Sequence, residues 1–312
     1  MANKTYDPPP GPPPGYEDAS RPDENPPPYH NWQEAVPDTA TFPPPPIAGY
    51  YSSGTGNASS DDAERAHDFC DRTPLWTPTK PSPVVYSTVE NGNLHPVRPR
   101  EFNGELLPIG KGRWRGYSAR RNGDCNIITH LPLYFPFGNS PFVTERSKTI
   151  YFEVKILRLG VGPGGGGDSS GLAVGFVAQP YPTWRSPGWE RGSVGVFSDD
   201  GCRFVNDSWG GKEFVSPFKV GETMGLGMIF SLPKNININA IAEGGTRLDV
   251  NVFCTRNGQR VGGWDLHEET DEESGSIKGL EGDFDLYGSV GLFGEVGFEA
   301  CFDSSGWLYR PT

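Results

Sequence analysis

Few side chains in this sequence are spaced for catalysis or for holding a metal ion. The histidines are scattered along the chain and form no group with metal-ligand spacing (His30, His67, His95, His130 and His267). The cysteines are equally far apart and include no C-x-x-C pair, which argues against a zinc site and a disulfide framework (Cys70, Cys125, Cys202, Cys254 and Cys301). The acidic run 268–273 lacks the alternating aspartates of a calcium loop. We therefore expect no catalytic residue, no metal and no cofactor.

A glycine-rich stretch at 162–167 has the form G-x-G-x-x-G of a dinucleotide-binding loop. That motif binds a pyrophosphate when the loop leads into a helix, whose N-terminus faces the phosphate groups. Here the next apolar run, 172–177, has the composition of a strand. We interpret the stretch as a loop between two strands and not as a nucleotide site.

Two short proline motifs near the start of the chain could bind a partner protein. They are PPxY motifs, one formed by Pro13, Pro14 and Tyr16 and the other by Pro26, Pro27 and Tyr29. Such segments favour the polyproline II conformation, so docking into the aromatic groove of a WW domain costs little ordering entropy, and the tyrosine fills an adjacent pocket. The short flexible spacing would let both motifs engage two WW domains of one protein and gain avidity. We predict that this arm binds WW domains.

The charge balance argues against nucleic acid as a partner. The formal net charge is -12, whereas a nucleic-acid-binding surface needs clustered Lys and Arg to neutralise phosphates. One short basic patch, 111–121, is interpreted as a solvated loop. The sequence contains neither an apolar signal-peptide core nor a stretch approaching 18 apolar residues, so we expect no membrane span and a cytoplasmic protein with reduced thiols.

The composition predicts three regions. Residues 1–95 are rich in Pro, Ser, Thr, Asp and Gly and read as a long disordered arm, with two marginal helical turns possible at 61–70. Residues 96–146 read as a partly ordered approach segment. Residues 147–309 show short strands separated by turn residues at fairly even spacing, which is typical of an all-β antiparallel sandwich.

Several blocks of the β region resemble SPRY domains. They are YFEV at 151–154, LAVGF at 172–176, QPYPTWRSPGW at 179–189 and FCTRNGQRVGG at 253–263. The block at 179–189 resembles the SPRY subgroup found in fungal adaptors of ubiquitin ligases. The resemblance implies a bent, concanavalin-like β-sandwich that binds protein segments through loops at one end and has no catalytic residues.

The same resemblance places the binding loops near 179–189 and near the late strands. The residues predicted to bind cargo are Tyr181, Trp184, Arg185, Pro187, Trp189, Phe293 and Glu295. Aromatic and Arg side chains dominate interface energies, and a loop rich in Pro and Gly holds them with little ordering cost. We expect Tyr181 and Arg185 at the surface, whereas Trp184 and Trp189 either bind a partner or cap the sandwich.

The hypothesis that combines these features is a non-enzymatic adaptor. The PPxY motifs would recruit a HECT-class ubiquitin ligase through its WW domains, and the SPRY-like region would select a cargo protein, including a membrane protein. Similar fungal adaptors often carry an N-terminal membrane span; we expect none here, so endosomal or vacuolar membranes would be reached through partners. Two alternatives stay open: a ligase-independent scaffold for another WW-domain protein, and a lectin-like carbohydrate-binding module.

Overall fold

The computed structural model describes residues 59–160, 170–208, 211–233, 248–269 and 277–311. All of these residues belong to one unit of the chain, Tyr50–Thr312. Both PPxY motifs, the glycine-rich stretch 162–167 and most of the acidic run 268–273 lie outside the described residues. The predictions made on those segments therefore stay predictions.

Thirteen strands of the described residues form two antiparallel sheets. The first sheet has six strands in the order β1 (Pro96–Val97), β4 (Cys125–Thr129), β12 (Leu286–Phe293), β6 (Gly171–Ala178), β7 (Ser193–Phe197) and β8 (Arg203–Val205). The second has seven, in the order β11 (Gln259–Asp265), β10 (Asp249–Arg256), β9 (Thr223–Ser231), β5 (Lys148–Leu159), β13 (Val296–Cys301), β3 (Arg113–Ser118) and β2 (Gly104–Gly110). The predicted all-β sandwich is confirmed.

Alternating side chains build the core between the sheets. Because successive residues of a strand point to opposite faces, every second residue of β5 and β6 enters the core. Phe152 of β5 meets Phe176 of β6 edge to face across the sandwich, with ring centroids 5.5 Å apart. The residues between them along β6, such as Gly175, face outward, so the six-stranded sheet has an outer face as well as an inner one.

Two hairpins of the β domain close at turns that contain residues with positive φ. Gly201 has a φ of 75° in the turn between β7 and β8. Asn257 and Gly258 both have positive φ, 50° and 79°, in the turn between β10 and β11. Two consecutive residues with positive φ are typical of the tight turn that matches the twist of a hairpin, and Asn-Gly is the pair that tolerates it best.

The helices include two that lie where the sequence predicts a disordered arm. The described helices are α1 (Ser60–Arg72), α2 (Pro83–Glu90), α3 (Pro136–Asn139) and α4 (Pro141–Thr144), with 3-10 turns at Leu266–Glu269 and Ser304–Gly306. Helix α1 begins at an N-cap, where the Ser59 hydroxyl accepts the backbone N–H of Asp62. A helix this short is marginal in water, and contacts with the β domain stabilise it, which composition alone does not reveal.

The segment 96–146 is predicted from the sequence to be a partly ordered approach to the domain, but in the structure it is part of the domain. It supplies β1 and β4 to the first sheet and β2 and β3 to the second. In strand β3, arginines that face solvent alternate with residues that face the core. The sequence of such a strand resembles that of a solvated basic loop. The β domain therefore spans 96–311, and most of the basic patch 111–121 belongs to one of its strands.

Candidate functional site: the outer face of the six-stranded sheet

Glycines make the outer face of the six-stranded sheet accessible to a neighbouring loop. Gly175 of β6 pairs with Gly195 of β7, and Gly291 lies on the next strand, β12. A Cβ atom built on any of the three would come within 3 Å of Pro187. Real Cβ contacts are essentially never that short, so the loop that carries Pro187 lies directly on the backbone of three strands.

This loop, 179–192, connects β6 to β7 and contains a buried ion pair. Arg185 Nε lies 2.7 Å from Glu190 Oε1, and each side chain is only 3% exposed. Burial raises the pKa of Glu190, and the Arg185 guanidinium acts in the opposite direction. The Tyr181 hydroxyl donates to the carbonyl of Ser186 at 2.6 Å and accepts the N–H of Glu190 at 3.2 Å. These side chains therefore hold the shape of the loop.

The expectation that Tyr181 and Arg185 lie at the surface is wrong. Both are buried, as is Pro187, because the loop folds back over the glycines instead of projecting from the end of the sandwich. An arginine in a loop rich in Pro and Gly is usually solvated, and the sequence gives no sign that Glu190 will pair with it. Whether these residues affect cargo binding stays a prediction.

Helix α1 covers part of this loop through Trp184. The indole N–H of Trp184 donates to the carbonyl of Asp62 at 3.2 Å. The Arg65 guanidinium lies 4.1 Å from the centre of the indole ring, and the Phe69 ring meets the indole edge to face at 5.8 Å. Trp184 is half-buried between the helix and the loop, so it packs against its own chain as well as facing solvent.

The end of helix α1 is held by Arg191. Its guanidinium donates to the carbonyl oxygens of Cys70 at 3.3 Å and of Thr73, and also to Pro180 O at 3.2 Å. A cation at this position is favourable, because the last carbonyls of a helix have no partners within the helix and carry its negative dipole end. Loop 179–192 and helix α1 thus form one connected structure.

The remaining predicted residues lie at the end of the sheet where β6 begins. The Trp189 ring stacks on Phe197 with centroids 5.4 Å apart, and it keeps part of its surface exposed. Phe293 is buried against Gly171. Glu295 is half-buried and forms an ion pair of 3.0 Å with Arg158. Among the predicted cargo residues, Trp184, Trp189 and Glu295 therefore keep exposed area.

Asp124, which lies just before β4, is not among the site residues predicted from the sequence. Burial raises the pKa of its carboxyl to about 8, and the nearby Arg185 partly opposes this effect. Within the described residues, Asp124 Oδ1 has no hydrogen-bond partner. An aspartate directly preceding the buried run of β4 is the signal that could have pointed to it. Its carboxyl is largely protonated near pH 7 and therefore adds little negative charge to this face.

Other chemical groups of the described residues offer little reactivity. Burial raises the pKa of the Cys125 and Cys254 thiols to about 12, which keeps them protonated. In the parts of the chain that the structure describes, no three His, Cys, Asp or Glu side chains come together as a metal site would require. Across the same residues, no helix is long and apolar enough to cross a membrane.

Known proteins are similar in sequence to part of this chain. No protein-family model matches the sequence. The SPRY domain-containing protein C285.10c of Schizosaccharomyces pombe is 30% identical over 106 residues, which are 34% of this chain and 23% of that protein. The β domain is similar to SPRY domains. The human SPRY domain-containing protein 3 is 37% identical over 84 residues, 27% of this chain and 17% of that protein.

We call residues 96–311 the SPRY-like domain. One further protein and two solved structures are also similar to parts of this chain. Protein ssh4 of Neosartorya fischeri is 25% identical over 140 residues, 45% of this chain and 21% of that protein. The chain thus matches less than a quarter of the length of each of these three relatives. A crystal structure of a human SPRY domain matches with a TM-score of 0.41 and 22% identity, covering 64% of this chain and 96% of that one. The SPRY domain of human HERC1 matches with a TM-score of 0.31 and 11% identity, covering 70% and 98%.

Proposed function

We propose that this chain is a non-enzymatic adaptor that links a WW-domain HECT ubiquitin ligase to a cargo protein. Two PPxY motifs at 13–16 and 26–29, placed ahead of a SPRY-like domain, are the observation that carries this proposal. The motifs fit the groove and tyrosine pocket of WW domains. The folded domain supplies a separate surface for the second partner.

The chemistry of the SPRY-like domain supports recognition over catalysis. In loop 179–192, Arg185 and Glu190 form a buried ion pair, and the Tyr181 hydroxyl is hydrogen-bonded to backbone groups of the same loop. A catalytic group would instead need to reach a substrate. The similarity to SPRY domains agrees with a role in protein binding.

The adaptor would act by proximity. Binding the ligase through the arm and the cargo through the domain turns an encounter of two dilute proteins into a reaction within one complex. We place the cargo contact on Trp184, Trp189 and Glu295, because these predicted residues keep exposed area. Rigid aromatic side chains of this kind are typical interface hot spots.

Calorimetry with the full chain tests the ligase half of the proposal. The probe is a purified tandem of WW domains from a HECT ligase, titrated with the wild type, with the double variant Tyr16→Ala and Tyr29→Ala, and with the control Tyr50→Ala. Tyr50 lies in the same proline-rich region but completes no PPxY motif. We expect the double variant to lose binding and the control to keep it. Equal binding by all three proteins would overturn the proposal.

A ubiquitination assay separates the adaptor from a ligase-independent scaffold. Reactions containing the ligase and the full chain should modify proteins bound to the SPRY-like domain only when Tyr16 and Tyr29 are intact. Deleting residues 96–311 should leave binding to the WW domains unchanged and abolish cargo modification. Cargo modification that does not depend on the two tyrosines would favour the scaffold.

A further inference from the structure

A cavity of about 280 Å³ lies on the outer side of the six-stranded sheet, beside its first strand. Trp76, Val97, Ile128 and Tyr287 form its apolar walls, and Asn126 also lines it. We call this cavity the Trp76 pocket. It is smaller than the roughly 300–1,000 Å³ that cofactors and metabolites usually occupy, so it suits one or two side chains of a larger ligand.

The exposed wall of the pocket is held in place by backbone contacts. Trp76 is 58% exposed, which is unusual for the largest apolar side chain. Its backbone N–H donates to the carbonyl of Gln179 at 2.7 Å. Three residues later, Thr79 donates to Asp285 through both its N–H and its hydroxyl, at 3.0 and 2.6 Å. The segment that carries Trp76 is therefore tied at two points, and the pocket exists before any ligand arrives.

One of the polar residues that line the pocket, Asn126, has a hydrogen-bond donor without a partner among the described residues. Asn126 is 1% exposed, its Oδ1 accepts from the Ser289 hydroxyl, and its backbone N–H donates to the carbonyl of Thr183 at 2.7 Å. Its Nδ2 has no partner among the described residues. A buried donor without an acceptor is rare in native proteins, and a ligand oxygen would satisfy it.

The pocket carries no charge at neutral pH. Its lining includes no Lys, Arg, Asp or Glu. His130, at its edge, has a pKa that is lowered by burial and by His95, whose ring stacks on it at 3.5 Å, so the imidazole is neutral. A phosphate, a carboxylate or an ammonium group would find no opposite charge here. The complementary ligand is uncharged, with an apolar part for the walls and a hydrogen-bond acceptor for Asn126.

We propose that the Trp76 pocket binds an extended peptide segment of a partner protein. An uncharged apolar side chain of the peptide, such as Pro, Leu or Ile, fills the space between Trp76 and Tyr287. A carbonyl of the peptide backbone accepts the hydrogen bond from Asn126 Nδ2. Peptides offer both groups on neighbouring atoms, which a free hydrocarbon or an ionic metabolite does not. Binding at this pocket does not depend on the identity of the ligase or the cargo.

Selection from a random library of 12-residue peptides, displayed on phage and panned against the full chain, tests the pocket. We expect binders that share one central uncharged apolar residue. Trp76→Ala and Val97→Glu should each weaken the best binder at least tenfold, because the first removes a wall and the second puts a charge at the rim. Val220→Glu is the matched control: Val220 is exposed, like Val97, but it does not line the pocket.

Nuclear magnetic resonance reports on the hydrogen bond itself. The side-chain amide signals of Asn126, assigned by their loss in Asn126→Asp, should move downfield when the selected peptide is added to the wild type. Thermal unfolding of each variant checks that it is folded. A selection without binders, or binders that ignore both Trp76→Ala and Val97→Glu, would overturn the proposal. So would saturation of the pocket by methyl α-glucoside in place of peptide, since that result would indicate a sugar site.

Discussion

The outer faces of the two sheets are covered by different parts of the chain and through different chemistry. On the six-stranded sheet, loop 179–192 lies over glycines and contains the ion pair between Arg185 and Glu190. On the seven-stranded sheet, the C-terminal segment lies beside Tyr151, whose ring meets that of Trp307 at 4.9 Å. There the buried carboxylate of Glu153 accepts hydrogen bonds from the backbone N–H groups of residues 308 and 309 and from the Tyr151 hydroxyl.

We call loop 179–192 the first cover and the C-terminal segment 304–311 the second cover. The two covers should differ in which substitutions disrupt them. A buried ion pair is costly to break on one side, because the remaining charge is left without compensation. A carboxylate bound by backbone N–H groups depends on its own charge and on the position of the segment that binds it. Loss of one member of the ion pair should destabilise the first cover. Loss of the charge on Glu153 should release the C-terminal segment, which is the second cover.

Loss of Arg185 should give the largest effect. In Arg185→Ala, Glu190 stays buried without its guanidinium partner and keeps only the more distant His67, at 3.6 Å, in its ion-pair network. We expect unfolding in urea to show a loss of about 3–5 kcal/mol in stability. Arg158→Ala is the control, because Arg158 is 61% exposed in its pair with Glu295 and should matter by less than about 1 kcal/mol. The double variant Arg185→Met with Glu190→Leu should recover most of the loss. Equal effects at Arg185 and Arg158 would contradict the importance of burial.

The second cover is tested by Glu153→Gln. The amide keeps one acceptor but loses the negative charge, and charge-assisted hydrogen bonds contribute about 1.5–3 kcal/mol each to stability. We expect a loss of about that size. Hydrogen exchange should become faster at residues 304–311, while helix α1 keeps its protection. Faster exchange in both places would mean that the two covers are coupled.

A methyl group under the loop should have a smaller effect. Gly195→Ala would place a Cβ against the carbonyl of Pro187, and overpacking of this kind costs about 1–3 kcal/mol. Gly123→Ala is the matched control, since nothing lies within 4 Å of its Cβ position. Urea unfolding compares the two. A Gly195→Ala protein as stable as the control would show that the loop can lift from the sheet at little cost.

The first cover should also respond to pH through Asp124. Its folded pKa of about 8 lies above the usual 3.8, so the folded state holds a proton that the unfolded state loses as the pH rises above about 4. This contribution to stability is complete below about pH 4 and is lost as the pH rises towards 8. Asp124→Asn should remove up to about 1 kcal/mol per pH unit of this dependence between pH 5 and 7. Urea unfolding at several pH values measures the slope, and identical slopes would contradict the raised pKa.

The strands were predictable because their signals are local. Strands such as β5 and β9 alternate apolar and other residues, and turn residues such as Asn257 and Gly258 mark where hairpins close. The sequence predicts helix α1 only as two marginal helical turns, because the stability of this helix depends on packing against Trp184. Propensity within a window of the sequence does not include a partner that lies more than a hundred residues away.

The sequence groups the candidate binding residues along the chain but does not show how deeply each of them is buried. The sequence places aromatic and Arg residues in one loop, and the structure brings that loop onto the glycines of three strands. Each of Gly175, Gly195 and Gly291 looks like an ordinary flexible residue in sequence, and their common role appears only when the strands are paired. The pairing of Arg185 with Glu190 and the burial of Asp124 follow from that tertiary arrangement.

The order of the strands also bears on self-association. The six-stranded sheet ends in β1 and β8, which have only two and three residues. At one end of the other sheet, β2 contains Pro108 and a shift in register next to it. Long, regular edge strands are the templates on which copies of a protein pair and aggregate. With edges this short or interrupted at three of its four sheet ends, the SPRY-like domain can be held at high local concentration on a multivalent partner with little tendency to form intermolecular sheets.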